Sequence, residues 1–237
     1  QGNKGGIVNR LKSLRATITH ADKANIPGVN KGASVVVQDK MRIGKTTPKT
    51  IDYKYIQKIE SLDLSGYSEK QRLNIDAFLF SFYAGGMSPI DVIYLTHKCF
   101  NEGKIVYERM KTTKEARMPV LKKAVDIINK YKGQCYGDYV LPILQVRHQT
   151  ETQKVHRVSG FSDCVNKTLR KVAKNIGYKG KITWNSARGT YISKLIDEKY
   201  PVELVAEHAG NSPDVIYKHY YIVTQREELN NKLDSLL

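Results

Sequence analysis

Residues 68–84 read SEKQRLNIDAFLFSFYA, and this stretch decides the fold. Ser68 and Gln71 have the spacing of a capping box, which predicts a helix that begins after Ser68. Apolar residues cover most of the circumference of this helix: Leu73, Ile75, Phe78, Leu79, Phe80, Phe82 and Tyr83. A helix that is apolar all round is buried, so we expect this one to run through the core and to end at Gly85 and Gly86.

Helical spacing recurs on both sides of this helix. It predicts helices over residues 7–25, 50–62, 89–95, 120–131, 161–176, 186–199, 202–209, 213–221 and 224–237. The stretch from Lys104 to Val120 has a β-hairpin pattern with a polar tip at residues 111–114. Residues 33–37 can form a lone strand or an extended linker, and we expect the polar stretch 147–159 to be a mobile loop. The sequence therefore predicts a mainly α fold with a small antiparallel β-sheet (α+β).

Charge is the strongest compositional feature: 39 Lys and Arg residues against 23 Asp and Glu residues give a formal net charge of +16. Such a charge favours a polyanionic partner, and nucleic acid is the first candidate. Charge alone leaves open an anionic lipid surface, or a solvated surface that is simply basic. No apolar run approaches the roughly 20 residues that cross a bilayer, and we expect a cytoplasmic protein without a membrane partner.

Cysteine and histidine usage argues against a disulfide framework or a metal site. Cys99, Cys135 and Cys164 are scattered and odd in number, and no Cys or His pair shows metal-ligand spacing. We therefore expect no metal and no cofactor.

Four stretches in a fixed order carry a family resemblance: FLFSFYAGGMSPIDVIYLT (78–96), YERMKTTKEARMPV (107–120), TWNSARGTYISKLI (183–196) and VELVAEHAGNSPDVIYKHYY (202–221). Together they resemble the tyrosine recombinases, or phage-type integrases, especially variants on mobile elements of gut Bacteroidetes. The resemblance implies a tyrosine recombinase catalytic-domain-like fold, site-specific DNA recombination as an integrase or invertase, double-stranded DNA as partner and a homo-multimer on DNA. It also implies that residues 1–45 are the end of a core-binding domain plus a linker, and that 46–237 are the integrase-type catalytic domain with a C-terminal tail helix.

The resemblance also implies a nucleophile. Tyr220 lies nine residues after Asn211 and matches the tyrosine whose oxygen attacks a DNA phosphodiester, with Tyr217 and Tyr221 as close rivals. The attack leaves a 3′-phosphotyrosine and a free 5′-hydroxyl, and cationic donors must stabilise the charge of its transition state. Arg188 matches the arginine whose planar fork suits two oxygens of one phosphate.

Lys111, at the hairpin tip, matches the lysine that acts as general acid toward the leaving 5′-oxygen, with Lys114 and Lys104 as alternatives. Basic residues are expected to follow the DNA backbone, where they position the protein without reading sequence. They are Lys114, Arg117, Lys167, Arg170, Lys171, Lys179 and Lys181. The final helix, with leucines at 229, 233, 236 and 237, is expected to dock either onto a neighbouring protomer or onto its own domain.

Three positions depart from the family's pattern. Ser88 stands where the first arginine is expected, and Asn185 and Asn211 replace the two motif histidines. Asparagine donates a hydrogen bond to a phosphate oxygen but cannot exchange a proton as imidazole does. Substitutes for the missing groups are open among His208, His219 and Arg109. A catalytically degenerate DNA-binding relative is therefore the main alternative, and a basic RNA-binding or regulatory helical protein is a third hypothesis.

Overall fold

The computed structural model describes residues 4–30, 32–35 and 48–221, together with 230, 232 and 233. Contacts divide the chain into two compact units, residues 1–47 and 48–237. In the first unit, α1 spans Lys4–Lys23 and α2 spans Gly32–Val35. The helix predicted over residues 7–25 is confirmed. Residues 33–35 are helical rather than extended, and residues 36 and 37 lie outside the described part.

The second unit is mainly helical, as predicted. Its α-helices are α3 (Tyr53–Glu60), α4 (Glu69–Tyr83), α5 (Pro89–Tyr94), α6 (Lys122–Lys130), α7 (Glu151–Asn175), α8 (Trp184–Asp197), α9 (Val202–Ala209) and α10 (Pro213–Ile216). A π-helical turn, Tyr217–Tyr221, continues α10. The helix predicted over 224–237 lies outside the described residues except at 230, 232 and 233. None of the described helices is long and apolar enough to cross a membrane.

Helix α4 runs through the core, as its sequence predicts. Ser68 caps it and forms a capping box with Gln71, and every residue from Asn74 to Tyr83 is buried. The helix packs against α6, α7 and α8. Phe78 and Phe80 are fully buried, and burial of one such side chain contributes about 1.5–3 kcal/mol. The other elements are thus arranged around α4.

The hairpin predicted from the sequence is confirmed, and it forms two strands of a three-stranded antiparallel sheet. Its strands are β1 (Phe100–Asn101), β2 (Lys104–Glu108) and β3 (Glu115–Pro119), in the order β1-β2-β3. Ile105 pairs with Met118, and both side chains are buried. The Arg109 N–H donates to the Lys114 carbonyl (2.9 Å) and closes the tip. The tip therefore carries residues 109–114 beyond the last pair of the sheet.

The prediction of a mobile loop at residues 147–159 is wrong, because α7 begins at Glu151. Thr150 caps this helix: its hydroxyl accepts from the Gln153 N–H (3.3 Å), and the Gln153 side chain accepts from the Thr150 N–H (3.0 Å). Arg157 Nε donates to the Ile143 carbonyl (2.9 Å) and fixes the first half of the helix to the preceding chain. The Thr150/Gln153 capping box was the sequence signal for this start.

A second apolar cluster holds the C-terminal elements together. It consists of Ile192, Ile196, Val202, Val205, Ala206, Ala209 and Ile216. These side chains fasten α9 and α10 to the second half of α8, and Tyr220 packs against the same cluster. The cluster thereby places the π-helical turn beside α8.

Candidate active site

Arg188 lies where three segments of the second unit meet. Its Nη1 donates to the Gly86 carbonyl (3.2 Å), in the turn between α4 and α5. Its Nη2 donates to the Ala209 carbonyl, at the end of α9, and to Asn211 Oδ1 (2.9 Å). These bonds hold the partly buried guanidinium in one orientation.

The first turn of α8 is anchored so that Arg188 reaches this position. Trp184 is buried, and its indole N–H donates to Ser81 Oγ (3.1 Å) and to the Met87 carbonyl (3.2 Å). Gly86, at φ +72°, packs so closely on α8 that a Cβ there would lie 2.4 Å from Arg188 Cα. A glycine is required at position 86 both by its backbone angle and by this approach.

We expect Gly86→Ala to be strongly destabilising, because the new methyl group meets backbone atoms of α8. Gly177 is the matched control: its φ is +71°, but a Cβ there has nothing within 4 Å. Gly177→Ala should lower the free energy of unfolding by about 1–2 kcal/mol, the cost of the left-handed conformation alone. Gly86→Ala should lose roughly 1–3 kcal/mol more through overpacking. Urea denaturation measures both losses, and equal losses would contradict the close packing of Gly86 on α8.

Tyr220 and Arg188 are brought together. Tyr220 lies in the π-helical turn and is partly buried. Burial raises the pKa of the Tyr220 phenol, and the positive charge of Arg188 opposes the rise. The rival tyrosines, Tyr217 and Tyr221, pack edge to face with ring centroids 5.3 Å apart. The charge of Arg188 therefore acts on the Tyr220 phenol, while Tyr217 and Tyr221 pack on each other.

Arg109 brings a second guanidinium to the same place. It follows β2 and donates from Nη1 to the Gly210 carbonyl, one residue beyond the Ala209 carbonyl that Arg188 binds. Gly210 has φ +56°, and a Cβ there would lie 3.0 Å from Arg109 Cδ. The pKa of Arg188 is lowered first by burial and then by the charge of Arg109. Two guanidiniums are thus held on neighbouring carbonyls, at Ala209 and Gly210.

Asp91 was missed by the sequence analysis and connects α5 to the hairpin. Its carboxylate is buried and accepts from Ser88 Oγ (2.7 Å) and from the Met110 N–H (2.9 Å). Ser88 is the N-cap of α5, so its hydroxyl already has a structural partner. The bond to Met110 fixes the backbone immediately after Arg109. Serine followed three residues later by aspartate is a helix-start pattern that could have drawn attention to this pair.

The remaining predicted catalytic residues have different environments. Asn211 contacts Arg188 through its amide oxygen, which leaves its amide N–H₂ group to donate elsewhere. Lys111 and Lys114 are exposed in the hairpin turn, and Lys104 is exposed at the start of β2. Asn185 is exposed in α8, three residues before Arg188.

The two histidine alternatives, His208 and His219, have contacts other than those of Arg109. His208 Nδ1 lies 3.3 Å from the Tyr191 hydroxyl, so that ring nitrogen has a partner within the α8–α9 packing. His219 is partly buried in the π-helical turn. In the part of the chain that the structure describes, no three His, Cys, Asp or Glu side chains are grouped to hold a metal ion.

The predicted DNA-contacting residues fall into two groups. Lys167, Arg170 and Lys181 line one groove between α7 and α8. The others lie elsewhere, and two of them have partners within the chain. Lys171 donates to the Gly66 carbonyl (2.7 Å), and Arg117 pairs with Glu115 (2.5 Å).

Comparison with known proteins gives matches among solved structures. No protein-family model matches the chain, and no curated protein matches its sequence. A lambda integrase dimer bound to a COC′ core site has a TM-score of 0.59 at 14% identity, over 91% of this chain and 60% of that one. XerA recombinase matches with a TM-score of 0.54 at 14% identity, over 98% of this chain and 84% of its own.

The Tn1549 transposon integrase, in complex with circular intermediate DNA, has a TM-score of 0.57 at 12% identity, over 96% of this chain and 79% of its own. The chain thus spans less than two thirds of the lambda integrase chain. At identities this low, the likeness establishes the fold alone. The fold is mainly α with a small antiparallel sheet, and it is that of tyrosine recombinase catalytic domains.

Proposed function

We propose that this chain is the catalytic part of a tyrosine-type site-specific DNA recombinase of the kind carried on mobile elements. It would cleave one DNA strand with the Tyr220 oxygen, store the bond as a 3′-phosphotyrosine, and rejoin the DNA when another 5′-hydroxyl attacks. The observation that supports the proposal is the binding of Arg109 and Arg188 to neighbouring carbonyls, with the Arg188 charge acting on the Tyr220 phenol, in a chain of net charge +16. No metal or nucleotide is needed for this exchange.

Each residue has a role in the proposed reaction. Arg188 and Arg109 bind the non-bridging oxygens of the phosphate and stabilise the charge that develops on them. Arg109 supplies the cation that Ser88 cannot. Lys111 protonates the leaving 5′-oxygen, and the amide groups of Asn185 and Asn211 donate hydrogen bonds to phosphate oxygens.

The partner is double-stranded DNA, bound by a homo-multimer on paired sites. The net charge favours a polyanion, and several structures of similar fold are complexes with DNA, one of them a lambda integrase tetramer on a Holliday junction. Residues 1–45 would be the end of a core-binding domain plus a linker, and residues 46–237 the catalytic domain with its tail helix.

Arg109→Ala tests whether Arg109 replaces the missing arginine. We expect the first-order rate of covalent DNA cleavage to fall about 10²-fold at saturating protein, because one of two cations on the transition state is lost. Arg72→Ala removes a guanidinium that donates to the Tyr67 carbonyl (3.0 Å) at the start of α4, and it should leave this rate unchanged. Equal rates for Arg109→Ala and the parent would remove Arg109 from the proposed mechanism.

A catalytically degenerate DNA-binding relative is the second candidate. It is favoured by Ser88, Asn185 and Asn211, which leave the site without imidazole at the two positions where the family has histidine. Such a protein would keep the fold and the charge, and it would bind DNA without cutting it.

Nicked duplexes separate the two candidates, because loss of the short fragment beyond the nick traps the covalent intermediate. The chain would be incubated with nicked duplexes tiled across the DNA that flanks its gene. A protease-sensitive adduct that survives detergent supports the recombinase. Retention of these duplexes without any adduct supports the DNA-binding relative.

A further inference from the structure

A polar groove of about 460 Å³ lies between α7 and the start of α8, apart from the Tyr220 and Arg188 contacts. Four exposed cationic side chains line it: Lys49, Lys167, Arg170 and Lys181. The carboxylate of Asp163 also lines the groove. With four cations against one carboxylate, the groove favours an anionic occupant.

The backbone at the start of α8 adds to this preference. Thr183 is the N-cap of this 14-residue helix, and a helix N-terminus carries a partial positive charge. Thr183 lines the groove and is only 8% exposed, and its hydroxyl oxygen has no hydrogen-bond partner. A buried hydroxyl normally has one. This hydroxyl beside the groove therefore has hydrogen-bonding capacity that no group of the described chain uses.

Lys49 was not singled out by the sequence analysis, and its place in the groove is fixed by packing. The Lys49 carbonyl lies against Gly189, where a Cβ would approach it to 2.7 Å. Two residues later, the N–H of Ile51 donates to Thr190 Oγ1 and its carbonyl accepts from the same hydroxyl, both at 3.0 Å. Residues 49–51 are thus held against α8.

The groove lies next to the proposed reaction site along α8. Asn185 lines it and precedes Arg188 by three residues, which is about 4.5 Å along the helix axis. Successive phosphates of one DNA strand are about 3.4 Å apart along the duplex axis. Both spacings are of a similar size, so one strand is able to offer a phosphate to Arg188 and a nearby phosphate to the groove.

We propose that this groove binds a second backbone phosphate of the cleaved DNA strand and so sets which phosphate reaches Arg188. This inference rests on the proposed function for the identity of the strand. The groove residues would contact the phosphate from three sides: Lys49 from the chain before α3, Lys167 and Arg170 from α7, and the N-terminus of α8.

The test compares two double variants that lose the same charge, both in the full chain with Tyr220→Phe to prevent chemistry. The groove variant is Lys167→Ala with Arg170→Ala. The control is Lys54→Ala with Lys194→Ala, two exposed lysines that pair with Asp52 and Glu198 away from the groove. The dissociation constant for a short duplex of arbitrary sequence is measured by fluorescence anisotropy over a range of salt concentrations.

We expect the slope of log K against log salt to become shallower by up to about 0.9 in the groove variant, since the contacts with one phosphate are weakened. The control should keep the parent's slope. Asp163→Asn should change affinity in the opposite direction and tighten binding a few-fold, a result that loss of folding cannot produce. Equal slopes for the groove variant and the control, or weaker binding by Asp163→Asn, would overturn the proposal.

The binding test is independent of cleavage, so the two proposals fail separately. If the parent chain forms a covalent adduct and the groove variant keeps the parent's slope, phosphate binding in the groove is rejected and the recombinase proposal stands. A shallower slope without any adduct would support the groove in a DNA-binding relative and reject the cleavage chemistry.

Discussion

Tyr220→Phe is expected to abolish the covalent protein–DNA adduct on nicked duplexes while leaving DNA affinity within about twofold of the parent, far less than one phosphate contact alters it. The substitution removes one oxygen, the proposed nucleophile, and no other group in the site has its role. The ring packs against the cluster around Ile192 and Ile216, and phenylalanine keeps that packing. Gel electrophoresis in detergent measures the adduct, and anisotropy measures binding.

Tyr217→Phe and Tyr221→Phe are the matched controls. Their rings contact each other, and we expect each variant to form adduct at close to the parent's rate. Peptide mapping of the DNA-linked fragment from the parent chain identifies the modified residue directly. Adduct that persists in Tyr220→Phe and disappears in Tyr221→Phe would move the nucleophile to the next residue.

The parts of the fold that were predicted from sequence are those specified by local signals. Helix α4 is recognisable because Ser68 and Gln71 mark its start and apolar residues surround it. The hairpin is recognisable because Ile105 and Met118 lie on two short apolar stretches on either side of a polar tip. These signals act within a few residues, so no knowledge of tertiary structure is needed to use them.

The first half of α7 shows the limit of such signals. Its outer side is polar and gives little helical periodicity, so residues 147–159 suggested a loop. The helix is stabilised there by the cap at Thr150 and by the bond from Arg157 to the Ile143 carbonyl. The second contact joins residues that are fourteen apart, and no short-range pattern predicts it.

The site residues also fall into those that the sequence identifies and those whose role depends on tertiary contacts. Tyr220 and Arg188 could be named from motif resemblance, and in the structure the Arg188 charge acts on the Tyr220 phenol. Arg109 could be offered only as one of three substitutes, because its position depends on how the hairpin approaches Gly210. Asp91 gave only the helix-start pattern with Ser88, which says nothing of its bond to Met110, and Lys49 gave no distinctive signal.

Arg188→Ala is expected to have the second largest effect, on both chemistry and stability. Without the guanidinium, the first-order rate of adduct formation should fall about 10³-fold, because the fixed donors that stabilise the transition state are gone. The carbonyls of Gly86 and Ala209 also lose a partner, which should cost about 1–3 kcal/mol of unfolding free energy. Single-turnover cleavage at saturating protein measures the first effect, and urea denaturation measures the second.

Arg188→Lys separates the contribution of charge from that of the planar fork. An ammonium group keeps the positive charge but cannot bond Gly86, Ala209 and Asn211 while facing a phosphate, because it has three donors on one atom. We therefore expect the lysine variant to recover part of the lost stability and little of the rate. If both variants, shown to be folded at the assay temperature, cleaved as fast as the parent, Arg188 would be a structural residue. The site of cleavage would then lie elsewhere, because Tyr220 is expected to attack only a phosphate that this guanidinium binds.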